Sequence, residues 1–407
     1  MLRVLSLILL CSVCLGLVAC AGTPISPDLT LAEEKLIESD NAFGLKVFQE
    51  IVAQNGDNNV FISPLSVAMA LGMTLNGANG ETREAMEATL ELSGLTIEEI
   101  NECYRHLIEV LQGLDPEVRF QLANSIWYEL GLDFEQEFIE LNKTYFDAEV
   151  TGLDFGDPAS PAVINGWVHE NTNGKIKEIV DQIDPLVVMY LINAIYFKGT
   201  WTYQFNEEDS KDDWFNLPDD SQAPCKMMSV EGDFQYYQHS DFQMIDLPYG
   251  NGDFSMTILL PTSGTDVDQL VADLNQSNWD QWSNGLSENP VALEFPRFSL
   301  EYELTLNDAL TALGMGIAFS PGQADFTKML TADRLWIDEV KHKTFVEVNE
   351  EGTEAAAVTS VSMTLSAGSE PHLITMRCDR PFLFFIREHS SQTILFVGKI
   401  VEPALSS

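Results

Sequence analysis

The sequence has 407 residues, 45% of them apolar, with 21 basic against 63 acidic side chains and a formal net charge of −42. The apolar content is enough for a sizeable core. The acidity argues against recognition of DNA, RNA or an anionic membrane by the body of the protein, since each of these partners is itself negatively charged.

The N-terminus has the features of an export signal. Arg3 is the only charge before an apolar run over residues 4–19, the pattern of a signal peptide. Leu-Val-Ala-Cys at 17–20 resembles a bacterial lipobox, which implies that residues 1–19 are removed and that Cys20 is lipidated as the first mature residue. Conventional cleavage after Ala21 is the alternative, and a permanent transmembrane anchor is disfavoured by the short span.

This interpretation predicts a protein that is secreted or held at the cell envelope, anchored by lipid to the outer face of a bacterial membrane. Residues 20–38 are then expected to be a flexible tether, with the lipid as the only membrane contact. Three cysteines remain in the mature body, Cys103, Cys225 and Cys378, and their odd number and wide spacing predict buried thiols rather than a disulfide framework. No Cys/His spacing typical of a metal site is present.

Hydrophobic periodicity predicts helices and strands mixed along the body. The predicted helices are 31–52, 65–75 and 96–111, and the predicted strands are 120–128, 187–197, 242–247, 254–260 and 291–295. Ser63 followed by Pro64 indicates a helix start, because serine caps a helix and proline suits its first turn. The absence of a regular strand–helix–strand rhythm favours an α+β fold over a doubly wound sheet.

Near the C-terminus, predicted strands enclose a long segment of small residues. The strands are 335–348, 380–387 and 393–400. Between the first two, every second residue is small or apolar: Thr353, Ala355, Ala357, Thr359, Val361 and Met363. Such a face suits a strand, although the segment has weak β-propensity. We interpret it as an exposed loop that could become a strand rather than as a linker, because long loops between strands are usually functional.

At this point the chain closely resembles the serpin family of protease inhibitors. The likeness rests on a series of motifs in the family's order between about Ala42 and Pro403, and together they make chance very unlikely. The motifs occupy 59–71, 77–82, 122–127, 164–168, 191–201, 351–357, 380–386 and 396–400. The resemblance implies an α+β serpin fold in residues 39–405, a single domain with three β-sheets, eight or nine helices and an exposed reactive-centre loop at about 350–376.

The resemblance also implies a mechanism. The segment 351–357, hereafter the hinge, matches that of inhibitory serpins and consists of Glu351, Gly352, Thr353, Glu354, Ala355, Ala356 and Ala357. In such proteins a serine protease attacks the loop, forms a covalent acyl-enzyme, and is trapped when the hinge inserts into the central sheet. The chain is therefore expected to be a monomeric inhibitor that forms a covalent complex with a target serine protease.

The family's usual spacing from Gly352 places the scissile bond at Ser366-Ala367, with Leu365 and Met363 as alternatives. No Lys or Arg lies between Lys343 and Arg377, and Arg377 is close to the following strand. A small or apolar residue at the cut suggests elastase-, subtilisin- or chymotrypsin-like targets. Papain-like cysteine proteases, and a non-inhibitory serpin-fold binding protein, are the open alternatives.

Five more residues correspond to positions with roles in the serpin sheet that opens. Ser63, Ser66, Asn193 and His342 match a hydrogen-bonded cluster beneath that sheet, known as the shutter. Trp201 matches a tryptophan at the top of the sheet, where insertion begins. A buried polar network is physically reasonable there, because its groups must be paired and can exchange partners as strands part.

Catalytic and cofactor motifs are absent from the sequence, which contains no Gly-x-Ser-x-Gly, His-Glu-x-x-His or phosphate-binding loop. We therefore expect neither an enzyme nor a cofactor or metal. Heparin binding is not expected either, since the region 81–113 has only Arg83, Arg105 and His106 against many acids. The overall acidity fits solubility in a salty extracellular setting better than attraction to a basic protease.

Overall fold

The structure is a computed structural model that describes residues 29–184, 187–331, 335–353 and 373–404. Within these residues it contains nine α-helices, in agreement with the expected eight or nine. They are α1 Leu31–Asn55, α2 Pro64–Leu75, α3 Gly80–Thr89, α4 Ile97–Gly113, α5 Gln136–Tyr145, α6 Ser160–Asn171, α7 Val267–Asp273, α8 Gln276–Asn284 and α9 Asn307–Leu310.

The first helix corrects the predicted tether. Helix α1 begins at Leu31 because Thr30 and Glu33 form a capping box, in which each side chain accepts a hydrogen bond from the other residue's backbone N–H. Leu36 and Ile37 are already buried in the core. The expected tether at 20–38 is therefore too long, since residues 31–38 belong to a packed helix.

Helix α2 begins as the sequence predicts. The Ser63 side chain accepts a hydrogen bond from the backbone of Ser66, and Pro64 occupies the first turn. Nearly every residue of α2 is buried, because the helix contacts strand β4 of one sheet, Met189–Thr200, and strand β15 of the other, Ile394–Ile400. A helix that is apolar all round is suited to such a position.

The described strands form two hydrogen-bonded sheets. The six-stranded sheet has the order β10 Phe298–Thr305, β11 Lys341–Val348, β12 Gly352–Thr353, β4, β2 Val118–Glu129 and β3 Glu149–Leu153. The nine-stranded sheet has the order β1 Val60–Ile62, β15, β14 Phe382–Glu388, β8 Phe254–Pro261, β7 Phe242–Tyr249, β6 Gln222–Gln238, β9 Ser287–Pro296 and β13 Ile374–Arg377, and β5 Lys211–Asn216 also pairs with β6.

The expected three sheets are thus two in this structure, and strand β6 is the reason. It has 17 residues, which allows it to pair with β5 at its start, with β9 along most of its length and with β7 at its end. One continuous ladder therefore joins strands that would otherwise form two separate sheets.

The predicted strand at 335–348 is observed only from Lys341. Before that point the backbone bonds to loops instead: Ile337 N–H donates to Ala318 O at 2.9 Å, and Val340 N–H donates to the Asn307 side chain at 2.8 Å. Because these backbone N–H groups already donate hydrogen bonds to loop residues, they do not pair with a neighbouring strand.

One large apolar cluster unites both sheets with the helices around them, and a smaller one lies beneath α6, around Trp127 and Ile164. Cys103, Cys225 and Cys378 are free and buried, as predicted. Among the described helices, none has both the length and the apolar character needed to cross a bilayer.

Candidate functional site around the hinge

The first residues of the hinge are held by a tight turn. The Asn349 side-chain oxygen accepts hydrogen bonds from the backbone N–H groups of Glu351 at 3.0 Å and Gly352 at 3.2 Å. Asn349 N–H in turn donates to Gly352 O at 3.0 Å. This turn directs Gly352 and Thr353 away from β11 and into the adjacent position in the six-stranded sheet.

Gly352 and Thr353 form strand β12, which lies between β11 and β4. Gly352 is opposite Thr200, and Thr353 is opposite both Gly199 and Val348. A Cβ atom on Gly352 would lie 2.1 Å from Gly199 O and 2.8 Å from Thr200 Cα. Because both contacts are with backbone, only glycine fits at this entry point.

The β11 and β4 strands form no ladder with each other anywhere in the described part of the chain, and the two residues of β12 are their only bridge. One strand placed between two others holds them about 10 Å apart, since neighbouring strands are spaced by about 4.8 Å. We call the edges of β4 and β11 that face each other the insertion edges. Their geometry at the hinge is that of a sheet already opened by one strand.

Thr353 is packed beneath an aromatic stack. It is only 2% exposed, and its hydroxyl lies 2.6 Å from the Tyr249 hydroxyl. The Tyr249 ring stacks on Trp201 with 4.4 Å between ring centroids and 12° between planes. Burial raises the pKa of the Tyr249 phenol far above its usual value, so this group remains a neutral hydrogen-bonding partner.

Trp201 also binds the hinge turn directly. Its indole Nε1–H donates to Asn349 O at 3.0 Å, and its backbone N–H donates to Glu351 O at 2.9 Å. The structure therefore places Trp201 beside the entry point of β12, at the end of the sheet that the resemblance implied.

Glu350 is an anchor that the sequence interpretation missed. Its side chain is 2% exposed and forms an ion pair with Arg297, which is 33% exposed. Ser210 Oγ donates to Glu350 Oε1 at 2.6 Å, and Phe205 N–H donates to Glu350 O at 3.0 Å. Nothing in the sequence pattern separates Glu350 from the other 62 acidic residues except its place directly before the hinge.

Three of the four expected shutter residues meet beneath the sheet. Ser63 N–H donates to His342 Nε2 at 3.0 Å, Ser63 Oγ donates to Leu395 O at 2.7 Å, and Ser66 N–H donates to Ser63 Oγ at 3.2 Å. His342 lies on β11, so this cluster ties one insertion edge to the start of α2. Burial lowers the pKa of His342 from 6.5 to about 4, which keeps its imidazole neutral and able to accept a hydrogen bond.

Asn193, the fourth, has other partners. It lies on β4 opposite Asn124 of β2, to whose side-chain oxygen it donates at 2.7 Å. Asn124 in turn donates to Phe146 O at 2.7 Å. No hydrogen bond connects Asn193 to Ser63 or His342 among the described residues, so the expected single cluster is divided between the two insertion edges.

The described chain resumes at residue 373 and enters strand β13, which pairs with β9 in parallel. Its last residue is Arg377, whose guanidinium binds three carboxylates: Asp213 at 2.7 Å, Asp379 at 3.1 Å and Glu294. Arg377 is therefore the last residue of a paired strand, close to the following strand β14, as its sequence position indicated.

The remaining predicted residues lie outside the described part of the chain. These are Glu354, Ala355, Ala356 and Ala357 of the hinge, Ser366 and Ala367 of the scissile bond with the alternatives Leu365 and Met363, and Cys20. No group of three or more His, Cys, Asp or Glu side chains is placed to hold a metal ion in the ranges that the structure does describe.

Comparison with known proteins identifies the same family throughout. The family model described as Serpin (serine protease inhibitor) matches residues 38–403. An uncharacterized serpin-like protein of Thermococcus kodakarensis is 33% identical over 91% of this chain and 86% of its own. The native structure of the thermophilic serpin tengpin is 32% identical, with a TM-score of 0.82 over 91% of this chain and 94% of its own. Human thyroxine-binding globulin in complex with thyroxine is 26% identical, with a TM-score of 0.83 over 92% and 100%.

Proposed function

The chain belongs to the serpin family, and on that premise we propose that it is an irreversible suicide-substrate inhibitor of serine endopeptidases. Members of this family are mostly protease inhibitors, although thyroxine-binding globulin shows that the fold also serves hormone binding. The choice between these roles depends on whether the loop of this chain is built to insert.

One observation carries the proposal: Gly352 and Thr353 already occupy the position between β4 and β11. The insertion edges offer backbone donors and acceptors that a longer strand would pair on both sides. Each such hydrogen bond contributes on the order of 1 kcal/mol, so an entering strand gains stability with every residue it adds.

The sequence that follows Thr353 suits this step. Ala355, Ala357, Thr359 and Val361 share the period-two face of Thr353, which is buried against Tyr249. Small side chains can follow Thr353 to the buried side without steric or desolvation cost, whereas a charged residue would be buried without a partner. This hinge has no such obstacle on that face.

The chemistry belongs to the target protease. Its nucleophile attacks the carbonyl carbon of Ser366, the bond to the nitrogen of Ala367 breaks, and the new amine leaves with a proton. The acyl group stays on the protease as an ester joined to this chain. Insertion of residues 354 onward would then carry the tethered protease along the sheet before water can cleave the ester.

Contacts on both insertion edges support this movement. On one edge, Ser63 donates hydrogen bonds to His342 on β11 and to Leu395 O. On the other, Asn193 and Asn124 bond across β4 and β2. Each edge thus keeps its own polar contacts, so the two edges can move apart as separate units.

The loop sequence favours targets that cleave after small or apolar residues, because no Lys or Arg occurs between Lys343 and Arg377. We therefore propose elastase-, subtilisin- or chymotrypsin-like proteases as targets. We also propose, from the Leu-Val-Ala-Cys motif, that Cys20 carries a lipid that holds the protein on the outer face of a bacterial membrane. Mass spectrometry of the mature N-terminus would test this point, because a diacylglyceryl-modified Cys20 and a free N-terminal Gly22 differ in mass.

The inhibitory function is tested by incubating the mature protein with pancreatic elastase, subtilisin and chymotrypsin, followed by denaturing gels and intact-mass analysis. A covalent complex with release of a peptide that begins at Ala367 is the expected result. Cleavage by all three enzymes without any complex would contradict it and favour a non-inhibitory role. Papain in the same assay tests the cysteine-protease alternative.

A further inference from the structure

A strongly acidic hairpin lies beside the hinge. Residues 206–226, which we call the acidic hairpin, comprise the approach to β5, strand β5, a turn and the first part of β6. They contain seven acidic residues against two basic ones, Lys211 and Lys226. The acids are Glu207, Glu208, Asp209, Asp212, Asp213, Asp219 and Asp220. Solubility would explain acidic residues spread over the whole surface, but it does not explain why these seven lie together beside the hinge.

The acidic hairpin is bonded to the chain on both sides of the loop. Before the loop, Ser210 Oγ donates to Glu350 at 2.6 Å. After the loop, Asn216 N–H donates to Asp379 O at 2.7 Å, and Asp213 receives the guanidinium of Arg377 at 2.7 Å. The hairpin therefore contacts the chain a few residues before and a few residues after the segment 354–372. A macromolecule that holds this segment is brought to the hairpin.

An exposed tryptophan stands on this surface. Trp214 is 55% exposed, while the next residue, Phe215, is fully buried and packs on Phe382. Trp214 is opposite the exposed Pro224 on β6, and the Asp212 side chain, two residues before it on the same face of the strand, is 98% exposed. The buried Phe215 anchors the strand, so the indole is not needed for packing. Tryptophan is among the residues most enriched at the energetic centres of protein interfaces.

We propose that the acidic hairpin is a docking surface for the protease that attacks the loop, with Trp214 as its aromatic anchor and its carboxylates selecting a protease with a basic surface. The inference rests on the proposed function, since it assumes that a protease engages the loop. Opposite charge on the two surfaces raises the rate of encounter, and a desolvated indole slows dissociation of the initial complex. The hairpin would thus choose among proteases of similar cleavage preference.

The test measures how fast chymotrypsin, a basic protease, consumes the intact chain. The second-order rate constant is compared for wild type, Trp214→Ala and the triple variant Asp212→Asn/Asp219→Asn/Asp220→Asn at low and high salt. Trp336→Ala is the matched control for the indole, because Trp336 is also partly exposed but precedes the end of β11 that is remote from the hinge. Glu137→Gln/Glu140→Gln/Glu149→Gln controls for the change in charge, since these exposed acids lie in α5 and at the start of β3.

We expect Trp214→Ala to lower the rate constant about fivefold, and the hairpin triple variant to lower it about threefold to tenfold at low salt and little at high salt. With succinylated chymotrypsin, whose former surface lysines carry negative charge, the difference should reverse, because the hairpin then repels the protease and the hairpin triple variant reacts faster than its control. Equal rates for Trp214→Ala and wild type, or for the two triple variants, would overturn the proposal. The division of the product between covalent complex and cleaved chain reports separately on the proposed function, because docking changes the rate of attack whether or not the protease is then trapped.

Discussion

The hydroxyl groups of Tyr249 and Thr353 lie 2.6 Å apart, and this hydrogen bond joins the nine-stranded sheet to the first loop residues that enter the six-stranded sheet. Both residues are buried. The bond is therefore shielded from water. It holds Thr353, the point from which a longer inserted strand would continue.

Replacement of Tyr249 by Phe should weaken the native form without disturbing the stack on Trp201. The change leaves the ring in place but leaves the buried Thr353 hydroxyl without its partner, at a cost of about 1–3 kcal/mol. The midpoint of urea-induced unfolding measures this cost. Tyr302→Phe is the matched control, because the buried Tyr302 hydroxyl has no hydrogen-bond partner in the described part of the chain, so its removal should be neutral or stabilising. Equal effects of the two variants would contradict the assigned role of Tyr249.

Thr353→Arg should convert the inhibitor into a substrate. An arginine at this buried position would place an unpaired charge beneath the Trp201–Tyr249 stack and so oppose insertion. Cleavage of the loop should continue, but the number of inhibitor molecules consumed per protease molecule inactivated should rise about tenfold or more. Thr353→Ser, which keeps the hydroxyl, should stay near wild type. An unchanged inhibitory yield for the arginine variant would refute the insertion mechanism.

Replacement of Arg297 and replacement of Glu350 should lower the free energy of unfolding by different amounts. Glu350 is almost fully buried, whereas a third of the Arg297 side chain reaches solvent. Arg297→Met would leave a buried carboxylate unpaired, at about 3–5 kcal/mol. Glu350→Gln would leave a cation that can turn to water, and should cost about 1–2 kcal/mol. Urea unfolding of both single variants and the double variant forms a thermodynamic cycle, and strict additivity would show that the pair does not interact.

The sequence predicts the fold well because its main signals are local. Ser63 and Pro64 fix the start of α2 through a cap and a first-turn proline, and the periodic apolar residues of 31–52 and 96–111 coincide with α1 and α4. The expected tether was too long because it overlapped the helix that the same periodicity predicts from residue 31. The strand at 335–340 was wrong for a different reason, since Asn307 and Val340 form a polar contact that hydrophobic periodicity does not register.

The candidate site was predicted less completely, because its decisive contacts join distant parts of the chain. Trp201, Thr353 and His342 were found through motifs, but Tyr249 and Arg297 lie in stretches that no motif singled out. Their contacts depend on how the strands are placed in the fold. Strand β7 brings Tyr249 onto Trp201 and Thr353. Arg297 directly follows β9 and pairs with Glu350. Asn193 was expected in the cluster of Ser63 and His342, but its partner is Asn124, because the pairing depends on which residues face each other across β2 and β4.

Two buried groups should give opposite pH dependences of stability. Burial lowers the pKa of His342 to about 4, below the value of 6.5 expected in the unfolded chain. The stability that the neutral imidazole contributes is therefore fully present above pH 6.5 and is lost as pH falls towards 4. Burial raises the pKa of Asp40, which accepts a hydrogen bond from Tyr104, to about 7, so its penalty is absent near pH 4 and grows as pH rises towards 7. Each effect is of the order of 3 kcal/mol, and in the wild type they should largely cancel.

Urea unfolding of His342→Gln and Asp40→Asn between pH 4.5 and 7.5 would separate the two terms. The His342 variant should become less stable as pH rises through this range, because only the Asp40 term remains. The Asp40 variant should become more stable over the same range, because only the His342 term remains. Parallel pH profiles for the two variants would show that at least one of these groups does not titrate as its burial implies.

Arg377 should control how long the active form persists. Its guanidinium holds Asp213, Glu294 and Asp379, and so fastens β13 to β5 and β9 at the C-terminal end of the loop. If β13 is released, the hinge can insert further without any cleavage, and a protease can then no longer attack the loop. Charge-assisted hydrogen bonds contribute about 1.5–3 kcal/mol, so Arg377→Met should accelerate the loss of inhibitory activity at 37 °C by about tenfold or more. Lys226→Met is the control, since its ion pair with Asp212 is largely exposed and contributes little. Equal half-lives for the two variants would show that β13 is retained by its backbone ladder alone.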